Sequence, residues 1–251
     1  MNKEVVTTKV TGMVLSSMPI GEYDKRLVIL SKERGKIAVF AKGARRQNSA
    51  FLACSQPFTF GQFELYEGRS SYNLMGIQIN NYFEDIRLNL EAAYYGMYFC
   101  ELTSFFAHEN EDGTDMLKLL YHSLRALLRE AIGMELVRYI FELKLISING
   151  FPPQVFQCVQ CGQEENVSYR FSSSAGGILC ENCKGQGYEG FRIRPDTIYT
   201  LQFIVATNIE KLFSFTLSKE VMYELKRCID SYRKIYIDQE MKALKWLETL
   251  F

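Results

Sequence analysis

Four cysteines constrain this chain more than any other feature, because they occur as two Cys-x-x-Cys pairs separated by eighteen residues. Cys158 and Cys161 form the first pair, and Cys180 and Cys183 form the second. This spacing is typical of zinc sites, in which each pair supplies two thiolates to a tetrahedral ion. Gly162 follows the first pair, where a tight turn favours a residue without a Cβ atom. The pattern therefore predicts a structural zinc site.

Other uses of these thiols are weaker hypotheses. Four protein ligands leave no open position for water or substrate, so a catalytic zinc is not expected. Ordinary cysteines, with or without a disulfide, are the simple alternative, and iron is another metal that thiolates bind. Zinc is the default for a structural site in a reducing compartment. The remaining Cys54, Cys100 and Cys228 are predicted to be reduced core thiols.

The whole chain has the length and composition of a globular protein with two or three domains. It contains no apolar run of about eighteen residues, so no membrane association is expected. The first ten residues lack the apolar core and cleavage site of a signal peptide, which predicts a cytoplasmic protein.

The first eighty residues predict β-structure and carry an excess of positive charge. Alternating and apolar runs predict five short strands, at residues 6–14, 26–31, 37–42, 58–66 and 72–79. Five short strands favour a small barrel, and the OB-fold is a barrel that commonly binds single-stranded nucleic acid. An SH3-like barrel or a small sandwich also fits the pattern.

The charge is unevenly divided, with a balance of +5 in residues 1–80 and −5 in the remainder. A polar, basic segment at residues 42–49 (KGARRQNS) predicts a loop that contacts a polyanion. A solvated charged face is the alternative. Bases could stack on aromatic residues that face outward, although most aromatics of a small barrel form its core. Those near the loop in sequence are Tyr23, Phe40, Phe58, Phe60, Phe63, Tyr66 and Tyr72.

From residue 81 onward the apolar pattern changes to a helical one. Helices are predicted near residues 86–107, 114–127, 134–148, 196–207 and 218–235. The third carries the widest apolar face and is expected to be central. The sequence thus predicts an α+β multidomain protein. An OB-fold barrel spans residues 1–80, and an all-helical domain spans residues 81–251, with zinc knuckles inserted at residues 158–183.

Sequence motifs of catalysis are missing. The chain has no phosphate-binding glycine loop, dinucleotide fingerprint or nucleophile elbow. Its only histidines, His108 and His122, fall in helical patterns, and its carboxylates form no cluster suited to magnesium. The chain is therefore predicted not to be an enzyme.

Several segments resemble the bacterial RecO family of DNA repair proteins over nearly the whole chain. Residues 21–27 (GEYDKRL) resemble the first-hairpin signature of that family, and residues 41–46 (AKGARR) resemble its basic loop. Residues 56–58 (QPF) with 64–66 (ELY) resemble its fourth strand, and residues 173–183 (SSAGGILCENC) resemble its second knuckle. The basic loop together with the four cysteines is the most specific part of this resemblance.

The resemblance implies a non-catalytic recombination mediator of the RecF pathway that binds single- and double-stranded DNA and promotes strand annealing and recombinase loading. The implied partners are RecR and the single-strand binding protein, and the implied location is the cytoplasm, associated with the nucleoid. The implied DNA contacts are Lys42, Arg45 and Arg46, followed by Arg34 and Lys36. Two other classes stay open: a zinc-stabilised protein–protein adaptor with an incidental basic barrel, and a transcription or translation factor.

Overall fold

The computed structural model describes residues 7–68, 71–164, 168–183 and 187–250. Contacts divide the chain into two compact units. The first unit contains residues 1–124 and 241–251, and the second contains residues 125–240. The predicted domain boundary near residue 80 remains a prediction.

The first unit is built on five strands and a short helix. They are β1 (Thr7–Ile20), β2 (Asp24–Ser31), β3 (Gly35–Ala41), α1 (Phe51–Cys54), β4 (Phe60–Glu67) and β5 (Tyr72–Asn81). The strands close into a barrel with the order β1-β2-β3-β5-β4. All neighbouring strands are antiparallel except β3 and β5, which are parallel. This topology is that of an OB-fold, so the predicted fold is confirmed.

The barrel core follows the two-residue period of its strands. Leu27 and Ile29 of β2 face Val39 and Ile37 of β3, and all four side chains are buried. β1 is longer than predicted and continues past a register shift between Val14 and Ser16 to pair with β2 as far as residue 20. Such a bulge changes which residues of a strand face the core.

Four further helices begin in the first unit: α2 (Glu84–Leu88), α3 (Leu90–Phe106), α4 (Thr114–Leu127) and α8 (Lys242–Leu250). α3 packs against both β1 and α8. The Glu101 carboxylate of α3 accepts hydrogen bonds from the backbone N–H groups of Lys242 and Ala243, both at 3.1 Å. These bonds satisfy two N–H donors that the first turn of α8 would otherwise leave without partners.

The second unit is a helical bundle with an inserted sheet. Its further elements are α5 (Met134–Ile148), β6 (Tyr169–Ser172), β7 (Gly177–Cys180), β8 (Phe191–Ile193), α6 (Pro195–Ala206) and α7 (Lys219–Tyr236). α5 is buried along almost its whole length and contacts both α6 and α7, as its wide apolar face predicts. The sheet has the order β7-β6-β8 and is antiparallel. No strand was predicted in this part of the sequence, so the sheet is a new finding.

Every helix in the described part of the chain is too short or too polar to cross a membrane.

Candidate metal centre and nucleic-acid interface

The four predicted metal ligands meet beside the three-stranded sheet of the second unit. Cys180 ends β7, and Cys183 ends the single 3-10 turn that follows. The Sγ atoms of Cys158, Cys161, Cys180 and Cys183 all lie within 4.8 Å of one another. All four are free thiols, so no disulfide forms among them.

The sulfur geometry fits a tetrahedral thiolate site. The Sγ atoms of Cys161 and Cys180 are 3.7 Å apart. A zinc ion with Zn–S bonds of about 2.3 Å requires sulfur atoms roughly 3.8 Å apart. Three of the four cysteines are buried and Cys161 is exposed. Four thiolates in this arrangement fill a tetrahedron, so the site can hold a metal ion but offers no open position for chemistry.

Backbone hydrogen bonds fold the first cysteine pair into a turn. Cys158 donates its N–H to the carbonyl oxygen of Gln163, and Gly162 donates its N–H to that of Cys158, both at 2.9 Å. Gly162 has φ +72°, in the left-handed region that favours glycine. The role that the sequence suggested for this glycine is therefore explained by its backbone.

Backbone hydrogen bonds of this region also change the pKa of the Cys158 thiol. Burial acts to raise the pKa of Cys158, but hydrogen bonds from backbone N–H groups, first that of Cys180 at 3.4 Å, outweigh it and lower the pKa to about 6. Burial and hydrogen bonds with the other three thiols raise the pKa of Cys183 to about 12. A bound cation would reverse that shift, because coordinating thiols are deprotonated.

Among the described residues, three arginines near the cysteine cluster are paired with acids or with backbone, and Lys184 lies outside the described residues. Arg192 lies 2.9 Å from the carboxylate of Glu181, and Arg194 lies 3.3 Å from that of Glu224. The Arg170 guanidinium donates a hydrogen bond to the carbonyl oxygen of Gly190. The surface around the four cysteines is therefore not suited to phosphate binding, since each of these three guanidinium groups already has a partner.

A second site lies at one end of the barrel, where the basic loop leaves β3. Lys42, Arg45 and Arg46 are all exposed there. Gly43, at φ +66°, donates its N–H to Asp24 Oδ1 at 2.7 Å. The loop therefore begins with a fixed turn.

The loop is also bonded to the turn between β1 and β2. The Arg45 N–H donates to the carbonyl oxygen of Tyr23 at 2.8 Å, and the Arg45 guanidinium donates to that of Gly21 at 3.2 Å. The Arg46 guanidinium lies 5.2 Å from the centre of the Tyr23 ring, within cation–π range. The structure thus brings three of the five predicted DNA contacts together with an exposed aromatic residue.

The other two predicted contacts lie at the opposite end of β3. Arg34 is 3.8 Å from the Glu67 carboxylate, and Lys36 Nζ donates to the carbonyl oxygen of Ser104 at 2.6 Å. Lys25 of β2 also contributes to the positive charge of the first eighty residues, but it is buried and donates from Nζ to Ser55 Oγ at 2.9 Å. Burial lowers the pKa of Lys25. The number of charges in the sequence does not show that Arg34, Lys36 and Lys25 have partners elsewhere in the barrel unit and lie apart from the basic loop.

Fold and site together define a class of protein in which an OB-fold barrel with an exposed basic loop is joined to a helical unit with a four-cysteine cluster. Two family models cover most of the chain: Recombination protein O N terminal matches residues 2–83, and Recombination protein O C terminal matches residues 87–245. The chain belongs to the RecO family of DNA repair proteins.

Individual relatives agree with the family match. The chain is 32% identical over 231 residues to the DNA repair protein RecO of Alkaliphilus metalliredigens, covering 92% of this chain and 94% of the relative. It is 31% identical over 243 residues to that of Acetivibrio thermocellus, covering 96% of each. It is 31% identical over 236 residues to that of Caldicellulosiruptor bescii, covering 94% and 96%. The resemblance of the sequence motifs to the RecO family is therefore confirmed.

Proposed function

We propose that this chain is a non-catalytic recombination mediator that binds single- and double-stranded DNA and promotes strand annealing and recombinase loading. The observation that carries this proposal is the exposed basic loop of Lys42, Arg45 and Arg46, in which Arg45 is hydrogen-bonded to the β1–β2 turn of an OB-fold and Arg46 lies over Tyr23 of that turn. Family membership supports the assignment to DNA repair. RecR and the single-strand binding protein are the partners we infer, and the cytoplasm is the expected location.

Annealing requires no catalytic group because it breaks no covalent bond. Two polyanionic strands must approach each other, and a cationic surface lowers their repulsion. Contacts to phosphates suit this task, since they carry no sequence information and the protein must work on any sequence. An arginine can also hold a phosphate with two hydrogen bonds, which favours Arg45 and Arg46 as the principal contacts.

We infer a structural zinc ion at Cys158, Cys161, Cys180 and Cys183. Zinc bound there would connect the turn at residues 158–163 to the end of β7. Metal binding would thereby supply folding free energy to the inserted sheet. The paired cations around the cluster support this role over DNA recognition.

The decisive variant is Arg45→Ala with Arg46→Ala. It should weaken binding to every DNA sequence alike and lower the salt slope of log K by about two units if each arginine neutralises one phosphate. Lys211→Ala with Lys219→Ala removes the same charge from exposed positions of the second unit and is the matched control. Equal binding and equal slope in the loop variant and the wild type would refute the loop as the DNA contact.

Activity is tested by annealing complementary oligonucleotides coated with single-strand binding protein. We expect the wild type to accelerate annealing and the loop variant to lose most of that acceleration. No DNA binding at low salt by folded protein would favour the adaptor function instead. A marked preference for one sequence or for RNA would favour a transcription or translation factor.

A further inference from the structure

A groove in the second unit lies between helix α6 and the segment that leads into α7. One wall is a single face of α6, formed at helical spacing by Asp196, Tyr199, Thr200 and Phe203, and the other wall is formed by residues 214–218. The groove encloses about 430 Å³, and ligand pockets have volumes of roughly 300–1,000 Å³. It contains no predicted metal ligand and no predicted DNA contact, so it is separate from both sites described above.

The segment that forms the second wall is held at both of its ends. The Arg129 guanidinium donates to the carbonyl oxygen of Phe213 at 3.5 Å. The Phe215 ring then packs edge-on against Phe203, with the ring centres 5.1 Å apart. At the other end, the Ser218 side chain caps the first turn of α7. The two walls are therefore in contact, and the groove is a fixed feature of the surface.

The backbone of this segment is available for hydrogen bonding. Phe215 and Leu217 are half-buried, while Ser214, Thr216 and Ser218 are exposed, and this alternation is that of an extended chain. Within the part of the chain that the structure describes, the backbone groups of residues 215–217 form no hydrogen bond with the rest of the protein. An extended backbone with open N–H and C=O groups is a template to which another strand can be added.

The charge of the groove restricts what can bind there. Among the described residues that line it, Asp196 alone is charged, and its carboxylate has no partner in a hydrogen bond or ion pair. The first turn of α7 already carries a carboxylate, because hydrogen bonds from the Glu220 N–H and from Ser218 lower the pKa of Glu220. The groove therefore favours apolar side chains accompanied by a cation, and it disfavours an acidic ligand.

We propose that this groove is a docking site for an extended segment of a partner protein. The segment pairs its backbone with residues 215–217, places an apolar side chain against Tyr199, and places a basic side chain beside Asp196. The lengths agree: the face of α6 from Asp196 to Phe203 spans about 10 Å, and three extended residues span about the same distance. In this mode of recognition the main-chain hydrogen bonds supply affinity and the pockets for alternate side chains supply specificity.

The test uses the full chain and a capped peptide of sequence Thr-Val-Thr-Phe-Thr-Lys, whose apolar and basic side chains share one face when it is extended. The peptide is titrated into isotope-labelled protein and followed by the NMR shifts of backbone amides. We expect the amides of Phe215, Thr216 and Leu217 to shift at peptide concentrations of about 1 mM or below.

Two variants locate the site. Tyr199→Ala removes a ring that is 69% exposed on the wall of the groove, and it should weaken peptide binding by about fivefold or more. Tyr223→Ala removes a ring of similar exposure, 62%, that does not line the groove. This control should bind the peptide within about twofold of the wild type.

Modified peptides test the backbone pairing and the charge. N-methylation of the three threonines, or of the other three residues, removes the N–H donors from one edge of the extended peptide and keeps every side chain. One of these two peptides should lose binding by about tenfold or more. Replacing the lysine of the peptide by glutamate should also weaken binding, and Asp196→Asn should reduce that difference.

Several outcomes would overturn the proposal: no shift at residues 215–217, equal binding by wild type and folded Tyr199→Ala, or undiminished binding of both methylated peptides. Equal binding of capped phenylalanine alone would make the groove a small-molecule pocket. Shifts at residues 215–217 that depend on protein concentration without peptide would place a second copy of this chain there. If Tyr199→Ala does not fold, the methylated peptides decide on the wild type. The result is independent of DNA binding, so Arg45→Ala/Arg46→Ala should bind the peptide normally.

Discussion

Gly43 donates its backbone N–H to the carboxylate of Asp24 at 2.7 Å, so an acidic residue at the start of β2 shapes the basic loop. A hydrogen bond to a carboxylate is stronger than one between neutral groups. Gly43 adopts a left-handed φ that glycine tolerates, which lets β3 turn directly into the loop. The position of Arg45 and Arg46 thus depends on a residue of opposite charge.

Asp24→Ala should loosen the loop, because it removes the acceptor for the Gly43 N–H. We expect tryptic cleavage after Arg45 or Arg46 to accelerate by about ten- to a hundredfold, consistent with the loss of a hydrogen bond worth roughly 1.5–3 kcal/mol. Asp24→Asn is the control, since it keeps an oxygen acceptor but removes the charge. If Asp24→Asn and Asp24→Ala are cleaved equally fast, charge and not the hydrogen bond holds the loop.

Cys161→Ser should abolish stoichiometric metal binding and loosen the sheet of the second unit, because three thiolates no longer complete the tetrahedron. Metal content, an absorption spectrum that separates zinc from iron, and limited proteolysis measure these effects on the full chain. DNA binding should persist, since the basic loop belongs to the barrel. A metal-free but folded variant that lost DNA binding specifically would contradict a purely structural role.

Glu142 of α5 is fully buried, with its carboxylate 2.9 Å from Arg138 Nε and 3.8 Å from Arg233 Nε. Glu142→Gln should lower the free energy of unfolding by about 3 kcal/mol, because it removes the buried one of the two carboxylates that balance Arg138 and Arg233. The other, Asp230, is partly exposed and lies 3.7 Å from Arg138 and 4.0 Å from Arg233.

On the same helix, Glu135 pairs with Lys226 of α7 at 3.5 Å, and both side chains are about half exposed. Glu135→Gln is therefore the matched control and should cost less than about 1 kcal/mol. Urea denaturation of the two variants measures the difference. Similar losses in both would mean that burial does not decide the strength of these ion pairs.

The three cysteines outside the metal cluster should resist alkylation at pH 8. Burial raises the pKa of Cys54, Cys100 and Cys228, and only the thiolate reacts. Their modification should increase only as the pH rises well above 9 or as the protein unfolds. Mass spectrometry of partially alkylated protein assigns the sites, and rapid modification of Cys100 in native protein would contradict the buried position.

Much of the fold could be predicted from local sequence patterns. The Cys-x-x-Cys spacing predicted a cluster that the structure brings within 4.8 Å, because each pair is a short turn and only two turns had to meet. The long helices followed from apolar periodicity, and α5 is central as its apolar face indicated. The sheet beside the cysteines was not predicted, because its strands are only three or four residues long.

The sequence by itself determined the basic loop, the cysteine cluster and the helical and β-rich halves, since each depends on residues close together in the chain. The tertiary structure decided which side chains face the solvent. Val14 is buried in the core, yet Met18, which an unbroken alternation would place on the same face, is 51% exposed. The register shift between Val14 and Ser16 causes this change, because one extra residue turns every later side chain of a strand to the other face. Pairing with β2 fixes that register, and so the exposure of Met18 is decided only when the barrel forms.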